Sequence, residues 1–394
     1  MHASDQPHPS GPTHPSGPAH LSGPAHLSGP AHGEEILAPD DVRLDVLCET
    51  LAGSAGLWRG VGDWPAGSLR ELARAGVYRW FLTPLEGGLG GGEADLTRGY
   101  LRLAAADLTT TFIVTQFVGA MRRIAGSENR APAQRWLGKL LAGEAFATVG
   151  ISHLTTSRQH LAVPVMRVIE GGGAGAYRMT GVAPWVTGAV HADVIVLAGT
   201  LDDGRELLAA LPTDHPAMVR GPGAGLVALS ASCTDQVRLE DYPVTAEMVI
   251  AGPHRDVMRS GFGAGTGGLQ TSTLAIGLAR AAVDYLAKEG ERRVELGRVA
   301  ESLGREVGLL EERLMGASAG SGEDTHAIRG EANRLVLRAT QAALVAAKGA
   351  GFVEDHPVGR WCREALFFLV WSCPHPVASG QLCELAGLDP NFRP

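Results

Sequence analysis

Trp185 and Thr187 stand two residues apart in the run TGVAPWVTGA (180–189), which leads into the apolar run HADVIVLAG (191–199). The valine-rich second run reads as a buried strand, so the pair sits where a strand begins beside an opening. Residues two apart on a strand point to one side. An indole there offers a flat apolar wall and a hydroxyl offers a hydrogen bond, which together suit a planar heteroaromatic ligand. The plainer alternative is a tryptophan plugging the end of a β-barrel, since most large aromatics are core.

Other groups carry less. GISHLTTSRQH (150–160) gathers hydroxyls and His153 where the texture of the sequence changes, an arrangement that lines cofactor pockets and also makes ordinary turns. Cys373 and His375 offer a thiol and a base, but their spacing in SCPHPV does not oblige the side chains to meet. A buried thiol near a proline-bounded helix end is the simpler reading. GAGTGG (263–268) fits the dinucleotide pattern G-x-G-x-x-G, yet no hydrophobic strand precedes it, and the motif needs strand, turn and helix together. PLEGGLGGGE (84–93) lacks the Lys-Ser/Thr ending of a phosphate cradle and reads as a loop between helices.

The elements that must position these residues follow a tail. Residues 1–33 form this tail, in which His8 to His32 repeat a six-residue unit (HPSGPT, HPSGPA, HLSGPA, HLSGPA) with too little apolar surface to order it. Its spaced histidines (His8, His14, His20, His26, His32) lack a fixed geometry, and no metal site is expected. Residues 34–144 place apolar side chains at three- and four-residue steps, as in SLRELARAGVYRWF, which predicts a helical domain. Residues 145–255 break into short β-branched runs split by GGGAG and DDG, which predicts a β-barrel or sandwich. Residues 256–394 return to long helical stretches with glycines at their ends, which predicts a bundle. The fold class is therefore α+β and multidomain.

Composition narrows the partners. The chain of 394 residues is 45% hydrophobic, enough for a large core. A net charge of −8 with scattered Lys and Arg argues against nucleic acid. The longest strongly apolar run, ALFFLVW (365–371), falls far short of the ~20 residues that span a bilayer. Five cysteines without a Cys-x-x-Cys pair, and no secretory signal, lead to the expectation of a cytoplasmic protein.

Taken in order, several of these runs resemble the acyl-CoA dehydrogenase family of flavoproteins. PLEGGLG (84–90) resembles its Pro-x-Glu-x-Gly-Gly-x-Gly loop and LLAGE (140–144) the Leu-x-x-Gly-Glu that ends its helical domain. Trp185 and Thr187 match the family's flavin-contacting pair, and Ser157 its Gly-Ser-Asp serine. VRLEDYPVTAEMVIAG (237–252) resembles its exit from the β domain, and LAIGLARAAVDYL (274–286) a bundle helix. Arg293 and Gly297 fall where the Arg-x-x-Phe-Gly motif puts its arginine and glycine, and KGAGFVEDHPVGRWCREA (348–365) resembles the Gly-Gly-x-Gly-Phe and Arg-Asp-Ala segments. The resemblance implies a helical domain, a β domain and a four-helix bundle holding FAD. It implies cofactor-binding roles for Ser157, Trp185, Thr187, Arg293, Gly297, Lys348, Gly349 and Gly351. It also implies a homodimer or homotetramer, because Arg293 would reach the cofactor diphosphate of a neighbouring subunit.

The departures bear on chemistry. The family's base is a glutamate eight residues after the acid of Arg-Asp-Ala; here that acid is Glu364 and the base position is Ser372. The alternative base position of some members falls near Gly267, and no Asp or Glu lies between Asp256 and Asp284 or between Glu364 and Glu384. Val345, Lys348, Leu296 and Ile151 also replace motif residues, and Lys348 offers a charge to the diphosphate in place of a lost glutamine. The first reading is an FAD-dependent oxidoreductase of fatty acid metabolism that acts on the CH–CH bond of an acyl-CoA or similar small molecule, with its base unidentified. The alternatives are a flavin-dependent monooxygenase of the same fold, with His153 or Ser372 near the flavin, and a non-catalytic scaffold.

Overall fold

The computed structural model of the chain describes residues 35–155, 164–173, 175–259 and 269–388. The histidine repeat of 1–33, GAGTGG and two expected site residues, Ser157 and Gly267, lie outside them.

Helices come first. α1 (Arg43–Ser54), α2 (Ala66–Arg74), α3 (Glu93–Ala106), α4 (Leu108–Ala125) and α5 (Arg130–Leu141) precede the strands. α4 is the pivot. Asp107 caps it by accepting from the Thr110 amide at 3.1 Å, and the helix is buried on nearly every face from Leu108 to Val118. It packs against α3, α5 and the first strand. Two arginines, Arg122 and Arg123, occupy its last turn, where cations suit the helix dipole.

The strands are β1 (Ala147–Gly150), β2 (Met166–Glu170), β3 (Tyr177–Val186), β4 (Val194–Thr200), β5 (Glu206–Pro212), β6 (Met218–Arg220), β7 (Asp235–Val244) and β8 (Val249–His254), with a one-turn helix α6 (Ser152–Thr155) after β1. They form one mixed sheet in the order β6-β7-β3-β2-β4-β5-β8, with β1 also paired to β4 in parallel. β4 is buried from Val194 to Gly199, as the unbroken apolar run requires. Met166, Met179, Ile195 and Leu207 fill a separate core of the sheet, while Val194 and Val196 face the helices.

Helices return as α7 (Leu269–Gly290), α8 (Val294–Ser318), α9 (Thr325–Ala347), α10 (Pro357–Ala365) and α11 (His375–Leu385). α7, α8 and α9 pack on one another, α10 packs on α9, and α3 lies along α7. Gly277 makes that last crossing close, because a Cβ there would stand 2.7 Å from the Leu101 carbonyl oxygen. The α+β layout of helices, sheet and helical bundle agrees with the fold class expected from the sequence. Among the described residues no helix is long and apolar enough to cross a membrane, and no three His, Cys, Asp or Glu side chains gather as a metal site.

Candidate functional site

A cavity of about 1090 Å³ opens where α3, α4 and α7 meet the end of β3 and the segment 366–373. Trp185 and Thr187 both line it, so the structure brings together the pair singled out by spacing. Local backbone explains how. β3 and β7 pair regularly at Ala183 and Val237 but resume at Val186 and Asp235, so β3 carries an extra residue at Pro184–Trp185. A bulge of this kind re-aims side chains, and here it leaves the indole 54% exposed towards the cavity. Thr187 is buried, and its Oγ1 lies 3.0 Å from Thr234 Oγ1, which lies 2.8 Å from Ser232 Oγ. Gly188 then turns the chain with φ 65°, where a Cβ would stand 2.6 Å from Trp64.

The opposite wall comes from the C-terminal part of the chain. Phe112 of α4, Phe367 and Trp371 form a cluster with ring centroids 4.9 to 5.1 Å apart. Buried Arg329 of α9 anchors this wall: its Nη2 donates to the carbonyls of Phe368 at 3.0 Å and Trp371 at 2.7 Å, and its Nε to Asn333 Oδ1 at 3.0 Å. Asn333 Nδ2 adds a bond of 3.0 Å to Phe368. Just beyond these bonds Ser372 takes a left-handed conformation, φ 45°, which is uncommon for a residue other than glycine. Ser372 and Cys373 both line the cavity. His375 does not join Cys373; its Nδ1 lies 2.9 Å from Ser379 Oγ.

The remaining expected residues do not meet at this cavity. Arg293 is half-buried at the start of α8 and ion-paired to Glu289 at 2.5 Å, and Gly297 packs on Gly290. Lys348, with φ 53°, and Gly349 are exposed on a turn after α9, and Gly351 is buried beneath it. Val345 and Phe352 flank this turn, 78% and 85% exposed. His153 is buried with its Nε2 3.0 Å from the Ala198 carbonyl, and it does not line the cavity. Burial holds its imidazole below the usual histidine range.

Acid groups are scarce in the cavity. Among the described residues, Glu93 is the one carboxylate in its lining, and Arg122 Nη2 donates to its Oε1 at 3.0 Å. The buried acids Glu364 and Asp107 lie outside the lining. Burial and then the neighbouring Asp107, opposed by Arg360, bring the Glu364 carboxyl up to about 7. Burial likewise raises Asp107, although Thr110 and the Trp58 indole N–H, 2.7 Å from its Oδ2, hold it.

Sequence reading missed the polar groups lent by α3, α4 and α7: Tyr100, Gln116, Arg122, Arg123 and Gln270 all line the cavity. One signal was available. Two adjacent arginines end an otherwise apolar helix, MRRIA (121–125), although cations at a helix C-terminus usually signify no more than dipole complementarity.

Searched against models of known protein families, the chain matches none. It is 21% identical over 253 residues to the probable acyl-CoA dehydrogenase YngJ of Bacillus subtilis (strain 168), a match spanning 59% of this chain and 66% of that protein. A glutaryl-CoA dehydrogenase from Mycobacterium smegmatis, solved in complex with FADH2, superposes with a TM-score of 0.71 at 17% identity, covering 90% of this chain and 97% of the other. The dibenzothiophene monooxygenase TdsC from Paenibacillus sp. A11-2 superposes with a TM-score of 0.67 at 14% identity, covering 82% and 90%. Dehydrogenases and a monooxygenase thus share the fold seen here.

Proposed function

We propose that the chain is a divergent relative of the acyl-CoA dehydrogenases and a flavin-dependent oxidoreductase acting on a small organic molecule in the cavity between α3, α4, α7 and the 366–373 wall, a reading supported by the sequence match, the shared fold and the cavity. The half-exposed Trp185 indole beside the Thr187–Thr234–Ser232 hydroxyl chain is the feature that fits a flavin. Trp185 would wall one side of the ring system and Thr187 would offer it a hydrogen bond. When bound, FAD supplies hydride or oxygen chemistry that no side chain of the protein provides.

One observation bears on the choice between chemistries. Oxidation of a CH–CH bond next to a thioester needs a group to take the α-proton, and a positioned base contributes ~10² to 10⁴ in rate. The cavity offers Ser372 at the family's base position and a Glu93 already held by Arg122. The geometry therefore favours monooxygenation, in which reduced flavin and oxygen act on the substrate without a carboxylate base. Acyl-thioester dehydrogenation is the second reading, favoured by the sequence relationship to a probable acyl-CoA dehydrogenase.

The test is the visible spectrum of the protein after incubation with FAD and desalting, followed by anaerobic addition of an acyl-CoA panel. Retained flavin that stays yellow with every thioester is the expected outcome. Bleaching by any of them makes dehydrogenation the function, and no retained flavin removes both readings and leaves a scaffold. We also propose that the chain self-associates over the exposed Val345–Phe352 region, where Arg293 and Lys348 would serve a neighbouring subunit's cofactor. Light scattering that shows a monomer would overturn this.

A further inference from the structure

The cavity holds a positive charge that the protein leaves unbalanced. Arg123, in the last turn of α4, is 7% exposed and lines the cavity. Its Nη1 donates to the Gly119 carbonyl one turn back at 2.9 Å, and its Nη2 is buried without a hydrogen-bond partner. Among the described residues no carboxylate pairs with it. Burial, reinforced by the adjacent Arg122, brings its pKa down to about 10, so it remains a cation at neutral pH. Of the undescribed residues, those near the cavity lining in sequence, 156–163 and 260–268, contain no Asp or Glu. A helix C-terminus explains a cation near this point but not the burial of its head group, which is costly without a partner.

We propose that Arg123 is the docking point for a carboxylate carried by the small molecule that enters this cavity. The proposal rests on the cavity being the substrate site. Charge counting selects the ligand class. Arg122 is already neutralised by Glu93, and Arg363, the other cation in the lining, stands on α10 beside the 366–373 wall, so at the C-terminal end of α4 one positive charge remains, and it matches a monoanion rather than a phosphate dianion. Phe112, Val149 and Ile151 in the same lining suit the carbon skeleton to which such a carboxylate is attached. Guanidinium and carboxylate make paired, charge-assisted bonds, and in a buried setting these discriminate strongly against a neutral amide of the same shape.

The experiment uses the full chain incubated with FAD and two matched probe pairs, pentanoate against pentanamide and benzoate against benzamide, with affinities measured by calorimetry. In the wild type at least one carboxylate binds roughly 10-fold more tightly than its amide. Arg123→Gln abolishes that discrimination while leaving the amide affinity unchanged, and Arg123→Lys retains part of it. Arg123→Met, measured without ligand, melts no lower than the wild type, because it removes an uncompensated buried charge; a purely structural arginine would lower Tm. Equal affinity within both pairs, no binding of any probe, or discrimination that survives Arg123→Gln overturns the proposal. So does a fall in flavin reduction potential in Arg123→Gln without loss of discrimination, which would assign the charge to the flavin. Discrimination without retained flavin defeats the proposed function but not this inference, and retained flavin without discrimination does the reverse.

Discussion

Two buried arginines, neither with a carboxylate partner, divide the molecule between them. Arg329, in the bundle, makes three hydrogen bonds, two of them to carbonyls of the 366–373 wall, and does not line the cavity. Arg123, on the central helix, makes one, to its own helix, and does line it. Each keeps one buried nitrogen without a partner, but only that of Arg123 belongs to a cavity-lining side chain. The difference teaches how to tell scaffold from site: a buried polar group whose bonds close within the fold shapes the cavity, and one whose bonds stay open inside the cavity is available to a ligand.

The largest expected effect separates the two. Arg329→Leu removes three hydrogen bonds and leaves the carbonyls of Phe368 and Trp371 short of donors, which should cost ~3–5 kcal/mol of stability in urea denaturation. Arg123→Met should cost nothing measurable by the same method. Equal losses in the two variants would break the comparison. Because Arg329 ties down the Phe368 and Trp371 carbonyls, the Arg329 variant should further release the wall to faster hydrogen exchange around 366–373.

A smaller effect comes from a buried group whose charge the fold suppresses. Glu364 has its folded pKa near 7, above the ordinary 4.5, because of burial and then Asp107. The native state therefore holds the proton more tightly than the unfolded chain between those values. The stabilisation is complete below about pH 4.5 and is lost as pH rises through about 7, by about 3 kcal/mol. Urea midpoints at pH 5, 6, 7 and 8 should fall along this series, and Glu364→Gln should flatten the decline. A wild-type midpoint that rises from pH 5 to 7 would show that Glu364 is ionised in the fold and belongs with Arg329 as a charged scaffold group.

What the sequence made legible follows the same division. The buried run at β4 and the apolar periodicities of the long helices were readable because burial repeats along an element. Trp185 and Thr187 were readable as a close pair in sequence, although β3 ends at Val186 and a bulge at Pro184–Trp185, not a shared strand face, aims the indole. Arg123 and Glu93 were not: they come from different helices, α4 and α3, and reach one cavity through a packing that Gly277 tightens and no local pattern records. Arg293 and Lys348 were legible as motif positions, yet within one chain the structure gives them surface places, an ion pair with Glu289 for the first and an exposed turn for the second.

The smallest expected effect sharpens the comparison at the other end of the cavity. Thr187 Oγ1 already has Thr234 Oγ1 at 3.0 Å, so by the criterion drawn from the arginines it could be closed scaffold or open site. A hydroxyl both donates and accepts, and the chain through Thr234 to Ser232 uses only part of that capacity at each oxygen. Thr187→Val keeps the shape and removes the hydroxyl. An open Thr187 predicts FAD binding weaker by about fivefold, ~1 kcal/mol, with little change in urea midpoint. A closed one predicts unchanged FAD affinity and a lower midpoint, because Thr234 would lose one of its two hydroxyl partners. Flavin titration and denaturation of this single variant therefore place Thr187 on one side of the division or the other.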